Sequence, residues 1–125
     1  MNSQFTKIVR IVLALILIVF GANKLYPFIP LPQPPQSAAD FMGSLAATGY
    51  VLPVVAIFEI FIGLLLIFKK WVPFALLLLA PISLNILLFH LFLDVPAIAT
   101  ALVVVILNCI LLYKYKQKYK PLFTE

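Results

Sequence analysis

The chain has 125 residues, of which 65% are hydrophobic and only 10% are charged. A soluble domain is closer to half apolar and a quarter charged, and a chain this short has too little interior to hide the surplus from water. A soluble enzyme and a disordered chain are thereby excluded, and the net charge of +5 does not indicate nucleic acid, because its cations sit in small clusters between apolar runs.

What remains is an integral membrane protein. A spanning helix needs about 20 predominantly apolar residues, and the first such segment covers residues 8–25. Lys7 and Arg10 ahead of an apolar run over 11–20 resemble a signal peptide. The apolar segment continues past Gly21-Ala22 to Leu25-Tyr26, however, and more such segments follow, so an uncleaved signal anchor is expected. The outer loop, 26–50, opens with Pro27, Pro30, Pro32, Pro34 and Pro35, an extended strap with few backbone donors. Ser37 then predicts a short helix, with Asp40 three residues on as a capping-box variant and Gly49 closing it. Its apolar face, Phe41, Met42, Leu45 and Ala46, predicts an amphipathic helix lying in the interface as a lid, or else an ordered loop with no lid role.

The second span is expected at 51–68, the third at 72–93 and the fourth at 96–113. The short connections Lys69-Lys70 and Asp94-Val95 force neighbouring helices to run antiparallel. Pro81 removes one hydrogen bond from the third span and predicts a kink there. The expected fold is therefore all-α: one domain over 1–125, a four-helix antiparallel transmembrane bundle with an interfacial helix between spans 1 and 2, and a basic tail at 114–125.

Orientation follows from the cations. Lys7, Arg10, Lys69, Lys70, Lys114, Lys116, Lys118 and Lys120 fall on one side, and Lys24 alone on the other. The positive-inside bias then places both termini in the cytoplasm of a bacterial inner membrane, with Arg10 among the anchors. Trp71, Tyr113 and Tyr115 are the matching aromatic anchors inside, and Tyr26, Phe28 and Tyr50 outside.

Glu59 is the most informative residue. It stands eight residues into the second span, about 12 Å below the outer boundary. A charge at that depth costs about 3 kcal/mol unless it is paired or neutral, so Glu59 should face the bundle interior. Ala56 and Gly63 put small residues on the same helix face, where a neighbour can approach closely. Lys24 is the one cation within reach; it either pairs with Glu59 or snorkels to the head groups. Unpaired, the acid would be held neutral, as a hydrogen-bond donor and proton carrier; paired or not, it could simply tie helices together.

Asn85 lies about 13 Å below the same surface, level with Glu59, and His90 about one turn above it. The two are about 140° apart around the helix, whereas Ser83 and His90 share a face. Interhelical hydrogen bonding is the competing reading for Asn85 and Asn108, head-group contact for His90, and inert packing for the lone Cys109. With a single histidine, a bis-histidine haem within one chain and most protein-only metal sites are excluded. Lys24, Glu59, Asn85 and His90 thus form a candidate ligand-binding pocket in the outer half of the bundle, with no metal and no assigned catalytic residue.

The order of motifs resembles the DoxX family of small bacterial four-span membrane proteins. The matching residues are Arg10 and Gly21-Ala22-Asn23-Lys24-Leu25 in the first span, then Phe41-Met42-Gly43. Glu59, Gly63 and Leu64-Leu65-Leu66 match in the second span, and His90 late in the third. The resemblance implies an association with membrane redox chemistry, since the related DoxD proteins are subunits of a thiosulfate:quinone oxidoreductase and other members are grouped with oxidative-stress complexes. Two readings follow. In the first, the chain binds a lipophile such as a quinone within a membrane redox assembly, with Glu59 exchanging the proton, Lys24 tuning it, and His90 and Asn85 orienting the ligand. In the second, it is a non-catalytic assembly or chaperone subunit that recruits membrane protein partners or a second copy of itself. A transporter ranks below both, because one buried acid and no internal repeat offer little for alternating access.

Overall fold

The computed structural model describes residues 3–124, and they contain helices but no strand. Helix α1 spans Gln4–Leu25, α2 Gln36–Ala47, α3 Val51–Ile67, α4 Val72–Leu93 and α5 Ile98–Lys114. A 3₁₀ turn at Val95–Ala97 leads into α5, and a 3₁₀ helix at Lys116–Phe123 follows it.

Each helix end has an identifiable cause. Ser3 caps α1, its Oγ accepting from the Thr6 amide at 3.1 Å, so the helix starts four residues before the predicted span. The α2 start departs from expectation. Pro35 takes the N-cap position, so Ser37 is already helical and cannot cap. Asp40 Oδ1 instead accepts from Gln36 Nε2 at 2.7 Å. Gly49 does close α2, at φ 82°, with its amide on the Ala46 carbonyl. Thr48 Oγ1 then receives the Val51 amide at 3.3 Å and opens α3.

At the other end of α3 the amides of Lys69 and Lys70 bond the Leu66 and Leu65 carbonyls, a Schellman closure. Lys69 occupies its left-handed position at φ 54°, and Trp71 is also left-handed at φ 51°, so the tight reversal into α4 holds strain that glycine would relieve. Arg10 completes this end. Rather than anchoring at the interface, it is buried and donates Nη1 to the Leu66 carbonyl and, at 3.4 Å, to that of Ile67. The carbonyls at a helix end lack partners, and a guanidinium carries enough donors to serve them.

Helix α1 packs along α3 and α4 along α5, and α1–α5 and α3–α4 contacts close the ring. Leu13, Leu17, Ile62, Leu66, Leu76, Leu79 and Leu111 are fully enclosed at its centre. The outward faces are also apolar, with Ile8, Leu15, Ile57, Leu84 and Ile106 each about half or more exposed. Such a ring is stable only in lipid. Gln4–Leu25, Val72–Leu93 and Val95–Lys114 are each long and apolar enough to cross a membrane. Helix α3, with 17 residues, reaches that length only together with α2, which meets it at 91°. By itself it lies at the short end of the spanning range. Helix α2 therefore lies across one end of the bundle, as an interfacial helix does, with its own Ala38 fully buried. Helix α4 continues through Pro81 as one element.

At the opposite end, the tail folds back onto the bundle. Tyr115 and Tyr119 are buried, and the Tyr119 hydroxyl donates to the Pro73 carbonyl at 2.8 Å. Burial pushes the Tyr119 phenol up to about 12, and the neighbouring Tyr115 adds to the shift. Lys114 Nζ stands 5.7 Å from the Phe5 ring centre, and Lys116 Nζ 4.1 Å from that of Tyr113.

Candidate functional site

The α1–α3 contact is built on two reciprocal notches. A Cβ added at Gly21 would stand 3.1 Å from the Ala56 carbonyl and 2.9 Å from Ile60 Cγ1. One added at Gly63 would stand 3.0 Å from the Ala14 carbonyl and 2.6 Å from Ile18 Cγ1. Each helix thus presses its backbone into the glycine of the other, seven residues from its own alanine. Antiparallel packing of this kind fixes the register as well as the distance.

That register brings Lys24, one turn beyond Gly21, level with Glu59, one turn beyond Ala56. Lys24 Nζ lies 2.8 Å from Glu59 Oε1. The two partners are unequal: the Lys24 side chain keeps 29% of its exposure, that of Glu59 only 3%. The two side chains form a close ion pair. Glu59 is therefore buried against the ammonium, and the remaining lone pairs of its carboxylate can accept a further donor.

Beside it, Asn23 Oδ1 accepts the amides of Phe28 and Ile29, both at 2.8 Å, and pins the first turn of the proline-rich strap to α1. His90 is half-buried on α4, its Nδ1 bonded to the Ile86 carbonyl at 2.9 Å. A carbonyl only accepts, so Nδ1 carries a proton and Nε2 faces its surroundings as an acceptor or a second donor. The His90 ring meets Phe89 edge-on at 5.1 Å, and Phe89 meets Phe41 of α2 at 5.7 Å. An aromatic file therefore joins the interfacial helix to α4.

Of the four residues expected to line a pocket, Lys24 and Glu59 are brought together, and His90 adjoins Phe89, whose ring meets Phe41 of α2. Asn85 stands apart from them. Its side chain is exposed and donates Nδ2 to the Pro81 carbonyl of its own helix at 2.9 Å. The interhelical bond expected of Asn108 is present, its Oδ1 accepting from Ser83 Oγ at 3.0 Å. Among the described residues, no group of three or more His, Cys, Asp and Glu side chains could hold a metal ion.

The DoxX family model matches residues 5–91, which take in Lys24, Glu59, Asn85 and His90. The chain belongs to the DoxX family. No curated protein and no solved structure matches it. The DoxX match spans α1 to α4 almost completely and stops short of the α4–α5 turn, α5 and the tail.

Two polar residues of this DoxX chain have roles that the sequence reading missed. In the sequence Asn23 stands out only as part of the Gly21-Ala22-Asn23-Lys24-Leu25 segment. Its position at a helix end directly before a proline-rich segment is the available signal, since the strap has few other means of attachment. Arg10 was read as an interfacial anchor, and nothing local distinguishes it from one. Its burial follows from the length of α1, which begins at Gln4 and so carries Arg10 two turns into the bundle.

Proposed function

We propose that this DoxX protein binds a lipophilic compound with a hydroxyl or carbonyl head, a quinol or quinone in particular, at the bundle end covered by α2. The observation that carries the reading is the Glu59 carboxylate, 3% exposed and paired with Lys24. A carboxylate accepts more than one hydrogen bond, so a ligand O–H can join the Lys24 ammonium there. The Lys24 ammonium beside it offers donors to a carbonyl, and His90 Nε2 offers a further contact from α4. The apolar body of such a ligand suits a site reached from lipid between helices. Asn85 has no part in it, because its amide serves its own helix.

The family's redox association supports placing the protein in a membrane redox assembly. The cation distribution supports a bacterial inner membrane with the tail end in the cytoplasm, since Lys24 is the one cation at the α2 end. The test is mass spectrometry of organic extracts from gently purified protein, wild type beside Glu59→Gln. A quinone enriched with the wild type and lost in the variant is expected. Equal retention by both would remove Glu59 from the site.

No lipophile in either sample would turn the reading toward an assembly subunit. The docked tail supports that alternative, because Tyr119 holds the 3₁₀ helix on the bundle while Lys116, Lys118 and Lys120 stay exposed. Crosslinks from those lysines to one abundant protein would be its signature.

A further inference from the structure

A cleft lies where the strap meets the α4–α5 turn, and neither Lys24 nor Glu59 lines it. The proline strap lies beside the turn between α4 and α5, and the two border a half-open cleft of about 390 Å³. Its walls are Pro32, Pro34 and Pro35 of the strap and Pro96 of the turn, with Gln33 and Asp94 as its polar members. Asp94 is only 8% exposed. Asp94 is the C-cap of α4, its amide donating to the His90 carbonyl at 3.1 Å, but among the described residues its carboxylate has no hydrogen bond and no ion pair and does not cap the 3₁₀ turn.

The lining decides what can enter. Proline has no N–H, so four of the wall residues contribute carbonyl acceptors and ring CH groups but no donors. The Ala97 amide is taken by the Asp94 carbonyl at 3.2 Å. The cleft therefore offers a negative charge, acceptors and apolar walls, with the Gln33 amide as the one side-chain donor. An anion would find no cation there, and a neutral lipophile would leave the carboxylate unpaired. A group that brings its own positive charge and several N–H donors fits both requirements. Its adjoining methylenes would rest on the proline rings.

We propose that this cleft binds a primary ammonium group through Asp94, at the level where the helices leave the membrane. Two sources carry that chemistry, an ethanolamine lipid head group and a soluble amine. The apolar proline walls at the end of a lipid-facing bundle favour the lipid. The site is independent of the Lys24–Glu59 pair, and most of its acidic turn lies beyond the region matched to DoxX.

Native mass spectrometry of the full chain released from detergent tests the proposal. The probes are phosphatidylethanolamine, phosphatidylglycerol and, in a competing arm, free ethanolamine and spermidine. Wild type should retain phosphatidylethanolamine in preference to phosphatidylglycerol. Asp94→Asn should weaken that retention about tenfold or more, the scale of one charge-assisted hydrogen bond. Ala97→Leu, which keeps the carboxylate and narrows the cleft, should do the same. Asp40→Asn, which removes the exposed acid of α2, should leave it unchanged and so separates a site from general charge attraction. Displacement by millimolar ethanolamine or spermidine would assign the site to soluble amines, still through Asp94. Retention that is equal for the two lipids, insensitive to soluble amines and unchanged by Asp94→Asn would overturn the proposal.

Discussion

The unequal burial of Lys24 and Glu59 predicts unequal consequences for removing each. Lys24→Met takes the cation from a carboxylate whose side chain is 3% exposed and which has no route to water. Breaking a buried pair by deleting one partner costs about 3–5 kcal/mol, and the 29% exposure of Lys24 reduces that to about 2–3 kcal/mol here. Glu59→Gln is milder. The freed Lys24 sits near the end of α1 and can turn its flexible stem toward the head groups, leaving a loss of about 1 kcal/mol. The difference of about 1–2 kcal/mol corresponds to a change of about five- to thirtyfold in the unfolding equilibrium. Unfolding in mixed micelles of increasing sodium dodecyl sulfate content, followed by far-ultraviolet circular dichroism, would measure all three variants. The double variant should be no less stable than Lys24→Met alone, because the second change removes the stranded charge. Equal losses from the two single variants, or losses that simply add in the double, would refute the argument.

Other substitutions test the rest of the bundle. Gly63→Ala should destabilise by about 1–2 kcal/mol in the same assay, since overpacking against the Ala14 carbonyl outweighs the helix-propensity gain. Gly43→Ala, with open space around it on α2, should instead stabilise by up to about 1 kcal/mol. Asn108→Leu should cost about 0.6–1.7 kcal/mol through the lost Ser83 bond, while exposed, self-bonded Asn85→Leu should fall within about 0.5 kcal/mol of wild type. Tyr119 has its folded value raised above the ordinary 10, so tail docking should be intact below pH 10 and weaken as pH rises toward about 12. Ultraviolet titration of tyrosinate should show one late-titrating phenol that disappears in Tyr119→Phe. A titration unchanged by that substitution would place the tail off the bundle.

The sequence by itself determined the class of molecule. Surplus hydrophobicity in a short chain leaves only the bilayer, and the length of each apolar run, with polar breaks at Lys69-Lys70 and Asp94, set the helices and their alternation. It also singled out Glu59, because a charge at lipid depth violates the local rule and so must be explained by something distant. The resemblance in Gly21-Ala22-Asn23-Lys24-Leu25 and in the Glu59 segment placed the chain in its family. Partnership was another matter. Lys24 had two equally sound destinations, and only the α1–α3 register, fixed by Gly21 and Gly63 pressing on opposing carbonyls, sends it to Glu59. Asn85 matched Glu59 in depth, but depth leaves open the angle around the helix, and its amide turned out to serve Pro81. Arg10 shows the same limit, since burial depends on where neighbouring helices begin and end. Hydrophobic periodicity is a one-dimensional signal that reports the solvent of each segment. Which side chains meet is decided by the packing of backbones, which arises only when the helices are assembled.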